Sequence, residues 1–191
     1  QKDDWSFRRS KWFQAIEKEC KNVRENVGLL DMSAFAKCRI KGPKAEEFLD
    51  KLVANKLPKK IGRINLCHAL NTKGGVHSEF TIMKEAENSY YLVSAGANLR
   101  LDHDWIQKWM PIDGSVIFED LTNSNGVLVV AGPKARELMQ KVSTDDFSNE
   151  NFKWLSAKKV NVGYAPVNAM RVNFVGELGW ELHHPIEYQN H

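Results

Sequence analysis

Apolar residues recur along this chain at two spacings, three-to-four and two, and the switches between them mark out its elements. Trp12, Phe13, Ile16, Cys20, Val23 and Val27 share one helical face and predict a helix over residues 11–26. A second helix is predicted after Gly42-Pro43-Lys44, with Ala45, Phe48, Leu49 and Leu52 inward. A third follows Gly132-Pro133-Lys134, with Ala135, Leu138, Met139 and Val142 at the same offsets. Proline suits the opening of a helix, where its missing N–H would have no partner in any case. A strand precedes each helix, Lys37 to Lys41 and Val127 to Ala131. Two strand-helix units of one design predict an α+β fold of duplicated modules, with antiparallel sheets covered on one side by helices.

Shorter signals fill the intervals. Residues 64–70 and 76–83 alternate around Thr72-Lys73-Gly74-Gly75 and predict a hairpin. Tyr90 to Ser94 reads as a buried strand, and residues 98–110 as a helix with Trp105, Ile106 and Trp109 inward, stopped by Pro111. Ser115 to Leu121 reads as a strand and Ser143 to Asn151 as a polar, exposed connection. Met170, Val172 and Phe174 alternate with Arg171, Asn173 and Val175, which predicts a strand entering a tight turn at Gly176-Glu177-Leu178-Gly179. The strand Trp180-Glu181-Leu182 leaves that turn. Its glycines hold Glu177 at a fixed point, although the same spacing describes an ordinary surface hairpin with an exposed glutamate. No linker divides the chain, which reads as a lead-in helix, residues 1–27, and one domain, residues 28–191.

Composition narrows the classes. The 191 residues suffice for one large domain, or a domain with part of another. A net charge of +3 gives no electrostatic case for nucleic acid. Cys20, Cys38 and Cys67 are widely spaced with no C-x-x-C pair, so they read as reduced thiols, buried or half-buried. His183, His184 and His191 suggest a metal only superficially, because neighbours on a strand point to opposite faces; no metal is expected. No apolar run approaches the roughly 18 residues of a membrane span, and no signal or transit peptide is read. Gly74-Gly75 fits neither a phosphate loop nor a dinucleotide fingerprint. Lys56, Lys59, Lys60 and Arg63 form a basic patch, read as solvated surface or as an attractor for a polyglutamate tail. The six tryptophans read mostly as core. The chain stops just after a strong strand and is expected to be part of something longer, C-terminally incomplete.

The stretch from Phe174 to Leu182 resembles the G-E-x-G-(aromatic)-E segment of the folate-binding aminomethyltransferase family. That family includes the T-protein of the glycine cleavage system and the C-terminal halves of dimethylglycine and sarcosine dehydrogenases. Four further matches fall in the same order: Gly28-Leu29-Leu30-Asp31-Met32-Ser33, Gly74-Gly75-Val76-His77-Ser78-Glu79, Ala95-Gly96-Ala97-Asn98 and Val130-Ala131-Gly132-Pro133-Lys134-Ala135. Each is weak alone; together they span residues 28–182. Trp12-Phe13 through Glu19, Val23-Arg24 and Lys37 resemble the dehydrogenase branch more than the free-standing T-protein.

The resemblance implies a T-protein-like folate-binding fold and a one-carbon transfer reaction with tetrahydrofolate. It implies Glu177 for the pterin edge, whose adjacent N–H donors suit a carboxylate, with Phe174 and Trp180 as apolar walls. Phe174 stands where many T-proteins carry tyrosine, so a hydroxyl contact is absent. The family's acid near the reactive folate nitrogens falls on Glu79, implying a proton acceptor that also stabilises positive charge. Glutamate in place of the usual aspartate adds a methylene, roughly 1.5 Å of reach. Asn98 is either a helix N-cap or a folate contact; Asp31 and Ser33 are either turn formers or pocket residues. Arg171 faces away from Phe174 and has Glu181 as one candidate partner. In the dehydrogenase branch, an upstream flavin domain carries FAD and oxidises a small N-methyl amine to the iminium that reaches the folate site. No flavin-binding glycine motif occurs here. The alternatives are a T-protein reaction, or a non-catalytic relative such as the regulatory subunit of pyruvate dehydrogenase phosphatase. The implied location is intracellular, cytoplasmic in a bacterium and the mitochondrial matrix in a eukaryote.

Overall fold

Residues 7–191 are described by a computed structural model. The first six residues of the expected lead-in segment lie outside the described residues. Two five-stranded antiparallel sheets form the core of the fold. The first orders its strands β3(Ile64–Leu70)-β4(Val76–Ala86)-β5(Ser89–Ser94)-β2(Ala36–Lys41)-β6(Ile117–Asp120). The second orders them β8(Ala157–Val162)-β9(Ala165–Met170)-β10(Gly179–Pro185)-β7(Asn125–Ala131)-β1(Gly28–Asp31). The helices are α1(Phe13–Glu25), α2(Ala45–Leu52), α3(Leu99–Trp109) and α4(Ala135–Val142). In chain order the elements repeat as helix, two strands, helix, three strands. The duplication expected from the two Gly-Pro-Lys-Ala segments therefore extends over the whole chain. The helix before residue 28 is the counterpart of α3.

The two Gly-Pro turns are built alike. Gly42 and Gly132 have φ of +126° and +133°. A Cβ on either would come within 2.4 Å of a backbone carbonyl oxygen, that of Ser115 or Asn26. The same hydrogen bonds recur: Gly42 N–H donates to Asn88 O (2.9 Å), and Gly132 N–H to Leu178 O (2.8 Å). One feature breaks a simple tandem reading. The first strand of each repeat joins the other repeat's sheet: β1 pairs with β7, and β6 with β2.

Four layers result. Ala45, Phe48, Leu49 and Leu52 of α2, with Ile106 of α3, cover Cys38, Ile40, Phe80 and Ile82 on one face of the first sheet. Ala135 and Met139 of α4, with Phe147 and Phe152, cover Val130, Val167, Trp180 and Leu182. The opposite faces meet through Ile64, Met83, Tyr91 and Val93 against Ala157 and Met170. A hydrogen bond joins the sheets there: Tyr91 Oη lies 3.1 Å from His183 Nδ1, and His183 Nε2 lies 3.2 Å from Glu181 Oε2. With Glu181 ionised, Nε2–H donates to the carboxylate and Nδ1 accepts from the tyrosine.

Several local expectations change. The strand expected through Phe174 ends at Met170, and residues 171–178 form an open connection in place of a tight turn. The alternation of Met170, Val172 and Phe174 continues, but β10 begins only at Gly179, with Glu181 opposite Met170. Cys20 is exposed; Cys38 and Cys67 are buried. Among the described tryptophans only Trp180 is fully buried, whereas Trp12, Trp109 and Trp154 are half exposed. No helix among the described residues is long and apolar enough to cross a membrane.

Candidate functional site

On β4, Phe80 and Ile82 join the helix-covered core, and Met83 joins the contact between sheets. Glu79 and Thr81 share the face of Met83, since side chains alternate. Glu79 lies four residues before Met83, roughly 13 Å along the strand, beyond the contact between the sheets. Its side chain is 56% exposed. The residue directly opposite on β3 is His68, whose Nε2 lies 2.9 Å from Glu79 Oε2. His77, expected beside Glu79, instead stacks on Trp105 with ring centroids 4.0 Å apart. A register shift at Ala69/Leu70 turns it toward α3.

Glu177 sits in the 171–178 connection behind Gly176, whose φ of +78° favours glycine. Its carboxylate is 19% exposed, and Oε1 accepts an ion-paired hydrogen bond from Arg24 Nη1 of α1. Phe174, three residues earlier, is 95% exposed, and Val175 is exposed beside it. Trp180 was expected on the same wall, but it is 0% exposed, packed edge-on against Phe147 and Phe152. It offers no ring face to a ligand, because β10 turns it to the helix side. Arg171 does not pair with Glu181. It donates to Phe152 O and to Asn149 Oδ1 (2.7 Å), pinning the 143–154 connection.

Asp31 and Ser33 are turn formers. Ser33 N–H donates to Asp31 Oδ1 (2.8 Å), Val127 N–H to Ser33 Oγ (3.0 Å), and Gln189 Nε2–H to Asp31 Oδ2 (3.1 Å). The hydrogen bonds from Ser33 hold the Asp31 carboxyl below its ordinary value. Asn98 occupies the N-cap position of α3 without a side-chain capping bond, and it is exposed. The small residues before it have a backbone cause: a Cβ on Gly96 would lie 1.9 Å from Ala34 O.

The two carboxylates share no hydrogen-bond partner. Glu79 turns to His68 and Glu177 to Arg24. Neither lines the cavity of about 450 Å³ between the sheets, bounded by Arg39, Tyr91, Asn125, Asn168 and His183. Two partners escaped the sequence reading: His68 and Arg24. Cross-strand register from the glycine turn identifies His68, less the one residue taken up by the bulge. Arg24 left no signal near Glu177 in sequence.

A two-sheet α+β architecture with these motifs in this order defines a domain of one family. The chain belongs to the GCVT family: residues 2–191 match the GCVT N-terminal domain. It is 39% identical over 183 residues to dimethylglycine dehydrogenase, mitochondrial, of Mus musculus, covering 95% of this chain and 21% of that protein. It is 31% identical to the mitochondrial pyruvate dehydrogenase phosphatase regulatory subunit of Mus musculus, covering 97% of this chain and 22% of that protein. The chain thus spans about a fifth of the length of these relatives. Among solved structures, glycine cleavage system aminomethyltransferase T from Bartonella henselae shares the fold with a TM-score of 0.76 at 23% identity. That match covers 89% of this chain and 45% of the other.

Proposed function

We propose that this chain is the tetrahydrofolate-binding part of an N-methyl amine dehydrogenase of the dimethylglycine or sarcosine type, where a folate receives a one-carbon unit. One observation carries the reading. A largely buried carboxylate, Glu177, stands beside an almost fully exposed aromatic ring, Phe174, in a segment carrying the family's motif. A pterin edge offers paired N–H donors and its ring an apolar face, and these two side chains answer both demands. Among the described residues only Oε1 of Glu177 is engaged by a protein donor, which leaves Oε2 for the ligand. Asn98, at the uncapped start of α3, is a further contact. Trp180, Asp31 and Ser33 serve the fold instead.

When bound, tetrahydrofolate supplies the nitrogen nucleophile. Glu79 accepts the proton released at that nitrogen and balances positive charge while the new bond forms. The amine and its oxidation belong to a flavin-bearing region outside this chain, the source of the iminium. The rival reading, a regulatory relative, rests on the likeness to the phosphatase subunit. It predicts no dependence on Glu79.

Calorimetric titration of tetrahydrofolate into the full-length protein tests the reading. Glu177→Ala should weaken binding about 10- to 100-fold, the worth of a charged hydrogen bond. Glu79→Ala should leave affinity nearly unchanged and slow transfer at least about 100-fold. Absence of binding by the wild type, or equal affinity in wild type and E177A, sinks the assignment.

A further inference from the structure

We infer that His68 is a positioning residue for Glu79, fixing one carboxylate oxygen so that the other faces the reacting nitrogen. The inference rests on the reading of Glu79 given above. A glutamate more than half exposed on a strand has three side-chain torsions and no packing to choose among them. Without a partner, its carboxylate would sample several rotamers. His68 removes that freedom. The two residues stand directly opposite each other in the β3–β4 register, and Nε2 meets Oε2 at 2.9 Å.

The donor itself is held from both sides. β3 pairs with β4, and on its other edge Ala54 N–H donates to the His68 carbonyl at 2.8 Å. The imidazole is 35% exposed. Since Glu79 carries charge, the Nε2–H tautomer is the one that satisfies the contact, leaving Nδ1 with no protein partner among the described residues. Oε2 is then occupied and Oε1 remains for the proton given up by the nucleophile.

Opposite His68, β4 supplies Glu79, and Leu66 and Leu70 of β3 on the same face are apolar. Removing the imidazole frees the Glu79 carboxylate to rotate, so transfer slows while the strand pairing remains. This consequence separates positioning from a cross-strand pair that merely stabilises the sheet.

Two measurements on the full-length protein decide the matter. In ligand-free protein, ¹⁵N NMR should show His68 as the Nε2–H tautomer in the wild type and as a tautomer mixture in Glu79→Ala. Single-turnover transfer to tetrahydrofolate, followed against pH, should fall about tenfold in His68→Ala, with folate affinity within about twofold of wild type. His68→Gln, which keeps a donor, should recover most of the rate. The inference is overturned if H68A matches wild type in rate and pH profile while Glu79→Gln is slow, an outcome that leaves the folate reading standing. If wild type binds no folate, both fall together. A wild-type melting temperature in H68A excludes simple unfolding as the cause of a slower rate.

Discussion

Glu46 shows how much one side chain organises on the side of the molecule away from the site. It lies in the first turn of α2 and accepts from Tyr90 Oη (2.6 Å), Lys84 Nζ (3.0 Å) and Lys59 Nζ (3.0 Å). These hydrogen bonds, Tyr90's first, bring its carboxyl down to about 2. The folded value lies below the ordinary carboxylate value, so the stabilisation is complete above about pH 4.5 and is lost as pH falls toward 2. Glu46→Gln should melt at lower temperature than wild type at pH 7, and the gap should close between pH 4.5 and 2. The side chain is 39% exposed, so solvent screening limits the pH 7 difference to about 1 kcal/mol. A constant gap across that range in a thermal-melt series would remove Glu46 from this role. At this scale the sequence was partly legible. The strand that carries Glu79 was legible because alternation on a strand is local. Trp180 did not join Glu177 because a residue three positions on, past the start of β10, turned to the helix side.

Between residues and molecule stand the two Gly-Pro turns, whose likeness in sequence is matched by likeness in backbone. Gly42 and Gly132 combine a positive φ with a carbonyl oxygen 2.4 Å from any added Cβ. Gly42→Ala and Gly132→Ala should each cost about 1–3 kcal/mol, from strain and displaced backbone together. Gly74→Ala should cost less, about 1 kcal/mol, since its φ is also positive but nothing lies within 4 Å. Denaturant melts of the three variants check the order, and equal losses would refute the crowding argument. The faces of α2 and α4 were readable because each is written within eight residues. By contrast, α1 buries none of the apolar face expected of it, and Trp109, expected inward on α3, is half exposed. The 171–178 connection was not readable, because the point where pairing stops depends on where β10 meets β9, far from any local pattern. In the first repeat the matching strands close over Glu87 and Asn88. In the second the connection is longer, and that enlargement holds Phe174 and Glu177.

Over the whole molecule the decisive fact is the pairing of β1 with β7 and of β6 with β2. No sequence signal records it, because adjacent modules read as self-contained strand-helix units. Leu29→Pro/Leu30→Pro tests it directly. Neighbouring N–H groups on a strand point to opposite sides, so one of these two must donate toward β7. Hydrogen exchange should quicken first in residues 125–131, nearly a hundred positions away, rather than in β2 next door in sequence. Faster exchange in β2 alone would contradict the pairing.

Because each repeat lends its opening strand to the other's sheet, neither half is closed alone. A single repeat carries one unfilled sheet edge together with one strand that has nowhere on its own sheet to dock. Such a unit is complementary to a copy of itself, and two copies related by a twofold axis would rebuild the present architecture from half the chain. Intramolecular linkage makes that partnership permanent. It also leaves the two halves free to diverge, one keeping a short hairpin while the other grows the loop that carries Phe174 and Glu177.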